Sequence, residues 1–446
     1  MKKVITYGTY DLLHQGHINL LRRAKELGDY LIVGVTSDSF DRGRGKLNVR
    51  NNVLERVEAV KATGYADEVI IEDYLGQKID DIQKYDVDIF AIGSDWVGKF
   101  DYLNEYCKVV YLPRTEGISS TMLRAESQNE YRIGIIGSGR IAQRFVPESK
   151  MVNGANVIAV LNPCKDEVET FAKKYNIEAF TSFNSFIKAV DVVYVATPHL
   201  THYDYVKRSL LAGKHVLCEI PFTLCKEEAL ELYRLAEEKK LILMEASKTA
   251  FCPAFGHIVT LIKSGIIGDV VDVKASLSKM IEPPTRELVV EQAGGAMNEH
   301  GPLNIMAIIK ILGIDWKDIN YHTKRYNCVD IYTKGVINYP HATSSFTVGI
   351  GVKTEGNLVV SGTKGYVYVP APWWLTDYFE VRYEDQTKNK KFFYSYEGEG
   401  LRYEIQEFLS MIVNNRRSSY KLRRHESVAI AEIIEKYRNG ENVTEL

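Results

Sequence analysis

The chain begins the same pattern twice: an apolar strand, a glycine turn and an amphipathic helix. The first instance runs from KKVITYG into HINLLRRAKELG, and the second is YRIGIIGSGRIAQRF from residue 131. After each start, short apolar runs alternate with helical patterns, which is typical of parallel strands covered by helices on both faces. The sequence therefore predicts an α/β protein with two doubly wound, Rossmann-like units.

A different pattern begins near Phe251. Strand-like segments such as DVVDVKASLSK, ATSSFTVGIGVK and FEVRYED follow one another with few helices, which indicates an α+β unit with a large, mainly antiparallel sheet. The predicted organisation is a first domain at 1–126, a linker at 127–130, a dinucleotide-binding Rossmann domain at 131–250 and an α+β domain at 251–446.

Bulk composition narrows the class of protein. The 446 residues carry a formal net charge of −2, which gives no reason to expect nucleic acid or an anionic membrane surface as a partner. No apolar run reaches bilayer length, and MKKVITYGTYDLL lacks a signal-peptide profile. The six cysteines lack metal-type spacing and read as free thiols in a reducing compartment. We therefore expect a cytoplasmic protein with no membrane insertion and no metal site of its own.

The stretch GTYDLLHQGH, residues 8–17, is the first candidate site. A glycine turn before a helix presents free backbone N–H groups and the positive end of the helix dipole, which together attract anions. His14 and His17 would add imidazole donors for the phosphate oxygens of a nucleotide. A metal clamp is disfavoured, since the next histidine is His199. Two structural histidines remain the plain alternative for this motif taken alone.

Two basic segments strengthen the phosphate interpretation. DRGRGK, residues 41–46, is a glycine-containing loop suited to close over a triphosphate, and Arg56 adds a cation on the following helix. PRTEGISST, residues 113–121, combines an arginine with hydroxyls at an expected helix start. Their combination with the histidine pair on one α/β framework favours a phosphate cradle over an incidental pair of histidines.

These motifs support a specific resemblance. GTYDLLHQGH, DEVIIED, GSDWVGKFDYL and VVYLPRTEGISST, spread over residues 1–126, closely resemble the glycerol-3-phosphate cytidylyltransferases of teichoic-acid synthesis. That family condenses CTP with a polyol phosphate and uses Mg²⁺, releasing pyrophosphate and a CDP-polyol. The chain departs from the family at Ser94, where a second acidic residue is usual, and the loop around Lys46 aligns loosely.

The resemblance also implies residue roles. The implied catalytic residues are His14, His17, Lys46 and Arg114, with the histidines at the α-phosphate and Lys46 at the triphosphate. The implied nucleotide- and substrate-binding residues are Gly8, Thr9, Tyr10, Asp11, Asp38, Arg56, Asp67, Asp95, Trp96, Thr115, Ile118 and Ser119.

IGIIGSGRIA is the second candidate site. It fits a strand, a G-x-G-x-x-A turn and a helix, which predicts a dinucleotide-binding unit. The next strand ends in Asn162, so no Asp or Glu stands there for the ribose hydroxyls and no Arg stands beside it for a 2′-phosphate. The choice between NAD and NADP is therefore open.

Five further motifs extend this unit into a second resemblance. Residues 131–440 resemble the glucose–fructose oxidoreductase/inositol dehydrogenase/MocA family through VATPHLTHY, GKHVLCEIPF, LMEASKTAFCPAF, GGAMNEHGPL and GTKGYVYVPAPWW. That family moves a hydride between a nicotinamide and a carbon bearing a hydroxyl or carbonyl. The resemblance implies cofactor-binding roles for Gly137, Ser138, Gly139, Arg140, Ile141, Asn162, Ala196, Thr197, Pro198, His202, Glu219 and Pro221.

The chain departs from this family at two positions that usually carry the chemistry. Ile220 stands where the family has the lysine of E-K-P, and Leu303 stands where it has a histidine or tyrosine if Glu299 is the preceding acid. Lys248 and His300 lie in neighbouring motifs and are the candidate substitutes, and of the two we expect Lys248 to act as the acid or base. The alternative for Lys248 is a solvated or structural lysine.

Together these features predict a bifunctional enzyme. The second half would reduce a carbonyl phosphate to a polyol phosphate with NAD or NADP, and the first half would couple that product to CTP, giving a surface-polymer precursor. The alternative is a cytidylyltransferase whose oxidoreductase-like half is catalytically silent and serves assembly or regulation. Adenylyl transfer, or another acceptor such as phosphoethanolamine, is a third possibility. Both resembled families commonly form homo-oligomers, so we expect one here.

Overall fold

The computed structural model describes residues 1–47, 49–74, 76–113, 130–394 and 398–446. It divides into two compact units, the first formed by residues 1–130 and 150–153 and the second by residues 131–149 and 154–446. Most of the predicted linker at 127–130 lies outside the described residues. Within the described part of the chain, no helix combines the length and apolar character that a bilayer span requires.

The first unit is built on a five-stranded parallel sheet. Its strands are β1 (Lys3–Gly8), β2 (Tyr30–Thr36), β3 (Glu68–Glu72), β4 (Ile89–Gly93) and β5 (Lys108–Leu112). Their spatial order is β3-β2-β1-β4-β5, and every pairing is parallel. Apolar side chains of β1, β2 and β4 are buried on both faces, which explains why these strands are continuous apolar runs in the sequence.

Helices cover both faces of this sheet. They are α1 (Gln15–Lys25), α2 (Asp38–Gly43), α3 (Val53–Ala62) and α4 (Gln77–Tyr85). Local sequence fixes where they begin: the His14 ring caps α1, and Asn52 with Glu55 forms a capping box at α3. The described part of the first unit is therefore doubly wound, as the sequence predicts.

The second unit contains a six-stranded parallel sheet. Its strands are β6 (Tyr131–Ile136), β7 (Ala155–Leu161), β8 (Glu178–Phe180), β9 (Val192–Val195), β10 (His215–Glu219) and β11 (Leu243–Ala246). Their order is β11-β10-β9-β6-β7-β8. The flanking helices are α5 (Arg140–Ser149), α6 (Lys165–Tyr175), α7 (Phe183–Ala189), α8 (His202–Leu211) and α9 (Lys226–Glu238).

A nine-stranded sheet completes the second unit. Its strands are β12 (Val270–Ser278), β13 (Asp318–Tyr326), β14 (Val329–Asn338), β15 (Thr343–Gly349), β16 (Leu358–Gly362), β17 (Tyr366–Val369), β18 (Tyr378–Arg382), β19 (Lys390–Phe393) and β20 (Val443–Glu445). The order is β19-β18-β17-β16-β12-β15-β14-β13-β20. All pairings are antiparallel except β12 with β15 and β13 with β20. The α/β class and the mainly antiparallel final sheet are confirmed.

The final region holds more helix than its sequence pattern indicates. It contains α10 (Lys248–Phe251), α11 (Pro253–Lys263), α12 (Ala296–Leu312), α13 (Leu401–Val413) and α14 (Arg424–Arg438). Helix α12 packs on β12 and β15 and is buried on nearly every side. A helix that is buried on nearly every side has no exposed polar face and so no amphipathic period, which is why the sequence pattern does not indicate it.

Candidate functional sites

The first candidate site lies at the carboxyl edge of the five-stranded sheet. Strands β1 and β4 are neighbours there, and the chain continues outward in opposite directions from them. Such a switch point leaves a crevice beyond the strand ends, where open α/β sheets bind ligands. Gly8 ends β1 at this crevice, and a Cβ added to it would meet the Tyr10 ring at 3.0 Å.

His14 and His17 stand together at the amino end of α1. The Nδ1 atom of His14 accepts the Gly16 N–H at 3.1 Å, which places the ring proton on Nε2 and makes that atom a donor. The two imidazole rings stack with centroids 3.9 Å apart and planes 21° apart. The helix start therefore presents a compact pair of imidazoles beside the positive end of its dipole.

The basic loop after β2 folds back onto the end of β1. Lys46 Nζ lies 2.6 Å from the Thr9 hydroxyl oxygen, and Arg44 Nη2 lies 3.2 Å from the same atom. Arg44 also pairs with the buried carboxylate of Asp41 at 2.6 Å. Thr9 and Lys46, both predicted site residues, are thus brought into contact at the edge that carries the histidine pair.

Arg56 is buried beneath this edge. Its guanidinium is 1% exposed and donates to the carbonyl oxygens of Thr9 at 2.8 Å and Thr36 at 2.9 Å. It also binds Asp38 at 2.6 Å. Arg56 therefore ties together the ends of β1 and β2 and the start of α2.

Three further predicted residues flank the crevice. Asp11 accepts the backbone N–H groups of Arg50 and Asn51, both at 3.0 Å, and so fixes the loop before α3. Asp95 and Trp96 follow β4 in a short 3-10 turn with exposed side chains.

Asp67, a predicted site residue, lies away from the crevice. It precedes β3, where its carboxylate accepts from Lys25 and from the Leu31 N–H, both at 2.6 Å. Those partners lie at the amino edge of the parallel sheet, whereas the histidine pair lies at the carboxyl edge. The expectation that Asp67 lines the pocket is therefore wrong. Arg114, Thr115, Ile118 and Ser119 lie outside the described residues.

The second candidate site is a cavity of about 720 Å³ at the carboxyl ends of β6, β7, β9 and β10. Gly137 shows why its sequence fits: its φ is +103°, and an added Cβ would lie 2.4 Å from the Ala196 carbonyl oxygen. Ten predicted cofactor residues line the cavity: Gly137, Ser138, Gly139, Arg140, Ile141, Asn162, Ala196, Thr197, Pro198 and Glu219.

His202 and Pro221 do not line the cavity but support it. The His202 ring is buried, with Nδ1 2.8 Å from the Pro221 carbonyl oxygen and Nε2 2.8 Å from that of Thr197. The imidazole thus joins the turn after β9 to the turn after β10. Both turns carry residues of the cavity wall.

Glu167 is a cavity residue that sequence reasoning missed. It lies in the first turn of α6, and its carboxylate accepts from the Asn162 side chain at 2.9 Å. Asn162 also donates to the Ser138 hydroxyl at 2.6 Å. A carboxylate therefore does stand beside the end of β7, supplied by the following helix. An acidic first turn after this strand is the signal that could have found it.

Another part of the cavity wall is formed by charged side chains that the sequence pattern did not indicate. Arg286 Nη1 lies 2.9 Å from Glu299 Oε1, and His199 Nε2 lies 3.6 Å from the same oxygen. Burial lowers the pKa of His199 well below its usual range, so its ring is neutral. Arg140 of the glycine turn forms an ion pair with Glu287. Arg286 and Glu287 lie in PPTRELVVEQ, a segment without a helical or strand period.

The departures from the family and their candidate substitutes lie in different places. Ile220 lines the cavity. Lys248 does not line it, and its Nζ lies 3.8 Å from a carboxylate oxygen of Glu399. Leu303 is buried in α12. Burial lowers the pKa of His300 to about 4, so this imidazole is neutral near pH 7.

Comparison with known proteins assigns both units. Residues 5–126 match the model of cytidylyltransferase-like proteins, and residues 131–247 match that of the oxidoreductase family with an NAD-binding Rossmann fold. The glycerol-3-phosphate cytidylyltransferase of Bacillus spizizenii is 53% identical over 131 residues, which cover 97% of that protein and 28% of this chain. The trans-1,2-dihydrobenzene-1,2-diol dehydrogenase of Oryctolagus cuniculus is 30% identical over 324 residues, which cover 98% of it and 70% of this chain.

A solved structure shows the same fold in the second unit. The 3-ketoreductase KijD10 from Actinomadura kijaniata, in complex with NADP and TDP-benzene, superposes with a TM-score of 0.65 at 22% identity. The match covers 71% of this chain and all of that protein. The chain therefore belongs to the cytidylyltransferase family through its first unit and to the NAD(P)-dependent oxidoreductase family named for Gfo, Idh and MocA through its second, as a fusion of the two enzymes.

Proposed function

We propose that the first unit transfers the cytidylyl group of CTP to glycerol phosphate or a similar polyol phosphate. An oxygen of the acceptor phosphate attacks the α-phosphorus, the bond to the β-phosphate breaks, and pyrophosphate leaves. The observation that carries this proposal is the stacked His14–His17 pair at the amino end of α1. Donors fixed in that position stabilise charge that develops on the α-phosphate oxygens during the transfer.

The neighbouring residues fit the rest of the nucleotide. Lys46 stands at the same strand end as Thr9 and supplies a cation for the β- and γ-phosphates. The described residues contain no group of three or more metal-ligating side chains, so we expect Mg²⁺ to arrive with the triphosphate of CTP. There it would neutralise phosphate charge. Arg114, Thr115, Ile118 and Ser119 complete the proposed site by resemblance.

We propose that the second unit reduces a carbonyl phosphate to the polyol phosphate that the first unit uses. A bound dihydronicotinamide supplies the hydride. The cavity offers the glycine turn for its pyrophosphate, and Lys279 and Arg286 on the cavity wall suit a phosphorylated substrate.

The side chain of Glu167 supports NAD as the preferred cofactor. Its carboxylate lies beside Asn162 at the end of β7, where a ribose hydroxyl is bound in this class of fold. A carboxylate accepts hydrogen bonds from hydroxyls but repels a 2′-phosphate.

A silent second unit is the competing function, and Ile220 and Leu303 favour it. To distinguish the coupled reaction from a silent second unit, the full chain is supplied with CTP, NADH and either dihydroxyacetone phosphate or ribulose 5-phosphate. Formation of a CDP-polyol supports the coupled reaction. Binding of the dinucleotide without its consumption on any carbonyl compound supports the silent unit. Pyrophosphate release with each of the four nucleoside triphosphates tests the preference for CTP, and self-association stays a prediction.

A further inference from the structure

A buried carboxyl group forms part of the cavity wall in the second unit. Glu219 ends β10 and lines the cavity beside Ile220. Its Oε1 accepts the Tyr194 hydroxyl at 2.5 Å, and its Oε2 lies 3.3 Å from the Ile220 N–H. Burial raises the pKa of Glu219 to about 7, against the opposing effects of Tyr194 and Lys248. A general acid works best when its pKa lies near the working pH.

A second carboxyl group lies behind the first. Glu404 on α13 is 0% exposed, and within the described residues neither of its oxygens has a hydrogen-bond partner. Burial and then the charge of Glu219 raise the pKa of Glu404 well above its usual range. The nearby Arg402 is paired with Glu148 at 2.6 Å, so its charge is already matched. Burial without a hydrogen-bond partner therefore disfavours the charged form of Glu404.

Titratable groups continue from this pair toward the surface. The charge of Lys248 lowers the pKa of both Glu219 and Glu404 and so acts on each of them. The Lys248 side chain is 17% exposed, and its Nζ lies 3.8 Å from a carboxylate oxygen of Glu399, whose side chain is 38% exposed. The charge of Lys248 therefore opposes the effect of burial on both carboxyl groups.

We propose that Glu219 donates the proton in the reduction. This rests on the oxidoreductase half of the proposed function. The carbonyl carbon gains the hydride, and the carbonyl oxygen takes the proton from Glu219, leaving an alcohol, the oxidised dinucleotide and a Glu219 carboxylate. Tyr194 stabilises that carboxylate through its hydrogen bond. Glu219 lines the cavity, so once the product has left it regains a proton from water that enters there.

Other charged groups near Glu219 do not take this role. Glu299 is held by Arg286 as its ion-pair partner. Glu245 lies on β11 in register with Cys218, so its side chain points to the opposite face of the sheet from Glu219. Burial also raises the pKa of Glu245 to about 7, yet Glu245 does not line the cavity. Glu245 is therefore a matched control.

Infrared difference spectroscopy on the full chain with NADH tests the carboxyl pair without any carbonyl substrate. Raising the pH through neutrality should remove a protonated-carboxyl band. That component should be missing in Glu219→Gln and altered in Glu404→Gln, and retained in Glu245→Gln. NADH affinity and thermal unfolding check that each variant folds. An unchanged titration in Glu219→Gln overturns the proposal.

The pH profile of carbonyl reduction tests the donor itself. For the wild type, kcat/KM should fall above about pH 7, and Glu219→Gln should lower it on the order of 10²-fold or more and remove that dependence. Tyr194→Phe should shift the fall to higher pH, since the hydroxyl lowers the pKa of Glu219. Wild-type activity and pH dependence in Glu219→Gln overturn the donor role. A wild type that reduces no carbonyl compound overturns the proposed reduction and the donor role with it, while the infrared result still decides whether Glu219 holds the titrating proton.

Discussion

The imidazole rings of His14 and His17 stack with their centroids 3.9 Å apart at the amino end of α1, and the His14 ring also caps that helix. One side chain thus has two duties. Its Nδ1 atom holds the helix start, and its Nε2 atom carries the proton offered to a ligand. Substitutions can separate the two duties, because asparagine also caps helices but has no imidazole donor.

Replacing either histidine should disable cytidylyl transfer. We expect His14→Asn and His17→Ala each to lower kcat by about 10²- to 10³-fold, because each removes a donor to the transition state. Pyrophosphate release from CTP and glycerol 3-phosphate measures the effect. Gln15→Ala, an exposed change in the same helix turn, is the control. Near-normal turnover in His14→Asn would show that the ring acts only as a cap.

Arg56 should matter for stability more than an exposed cation does. Arg56→Leu removes the guanidinium donor from the carboxylates of Asp38 and Asp41 and from the carbonyls of Thr9 and Thr36. We expect the free energy of unfolding of the first unit to fall by about 3–5 kcal/mol. Denaturant unfolding measures it, with Arg22→Ala as the control, since that surface pair with Glu26 is worth less than about 1 kcal/mol. Equal losses in the two variants would contradict the structural role of Arg56.

Glu245 should make the stability of the second unit depend on pH. Burial raises its pKa from 4.5 to about 7, so the folded chain binds more protons than the unfolded chain between those values. The free energy of unfolding therefore falls as the pH rises from 4.5 through 7, by about 3 kcal/mol for this group. Glu245→Gln should remove that part of the fall, whereas Glu58→Gln, an exposed change, should not. Parallel wild-type and Glu245→Gln curves would contradict the assignment.

Glu167 should set the cofactor preference. We expect Glu167→Gln to improve the affinity for NADP relative to NAD on the order of tenfold, because it removes one negative charge near the 2′-phosphate. Fluorescence titration with NADH and NADPH measures both dissociation constants. Glu169→Gln, on the same helix, is the control. A wild type that already prefers NADPH would refute the proposed role of Glu167.

Part of this molecule follows from its sequence. The strand–glycine–helix starts predict the two parallel sheets. The structure shows why each turn has a glycine: a Cβ at Gly8 would lie against the Tyr10 ring, and a Cβ at Gly137 would collide with the Ala196 carbonyl oxygen. The same local logic places His14 at the start of the helix after β1 and Asn162 directly after β7. It would also have excluded Asp67, because a residue that precedes a strand of a parallel sheet lies at the amino edge; the expectation for Asp67 came from the resemblance alone.

Other site features depend on contacts between distant segments. The charge of Glu219 acts on Glu404 across more than a hundred residues of chain, and Arg286 pairs with Glu299 from an irregular segment. No spacing rule connects such pairs. Lys248 illustrates the difference, since its neighbouring motif suggested the cavity while the fold turns it toward Glu399.

In the proposed function, one chain makes a polyol phosphate and couples it to CTP. The mass of the product formed by the full chain from CTP, a carbonyl phosphate and NADH deuterated at the transferred position tests this coupling. We expect a CDP-polyol carrying one deuterium, and accumulation of the deuterated polyol phosphate alone with His17→Ala. A CDP-polyol that forms only when unlabelled polyol phosphate is supplied, with no deuterium transferred from NADH to any carbonyl phosphate, would contradict it.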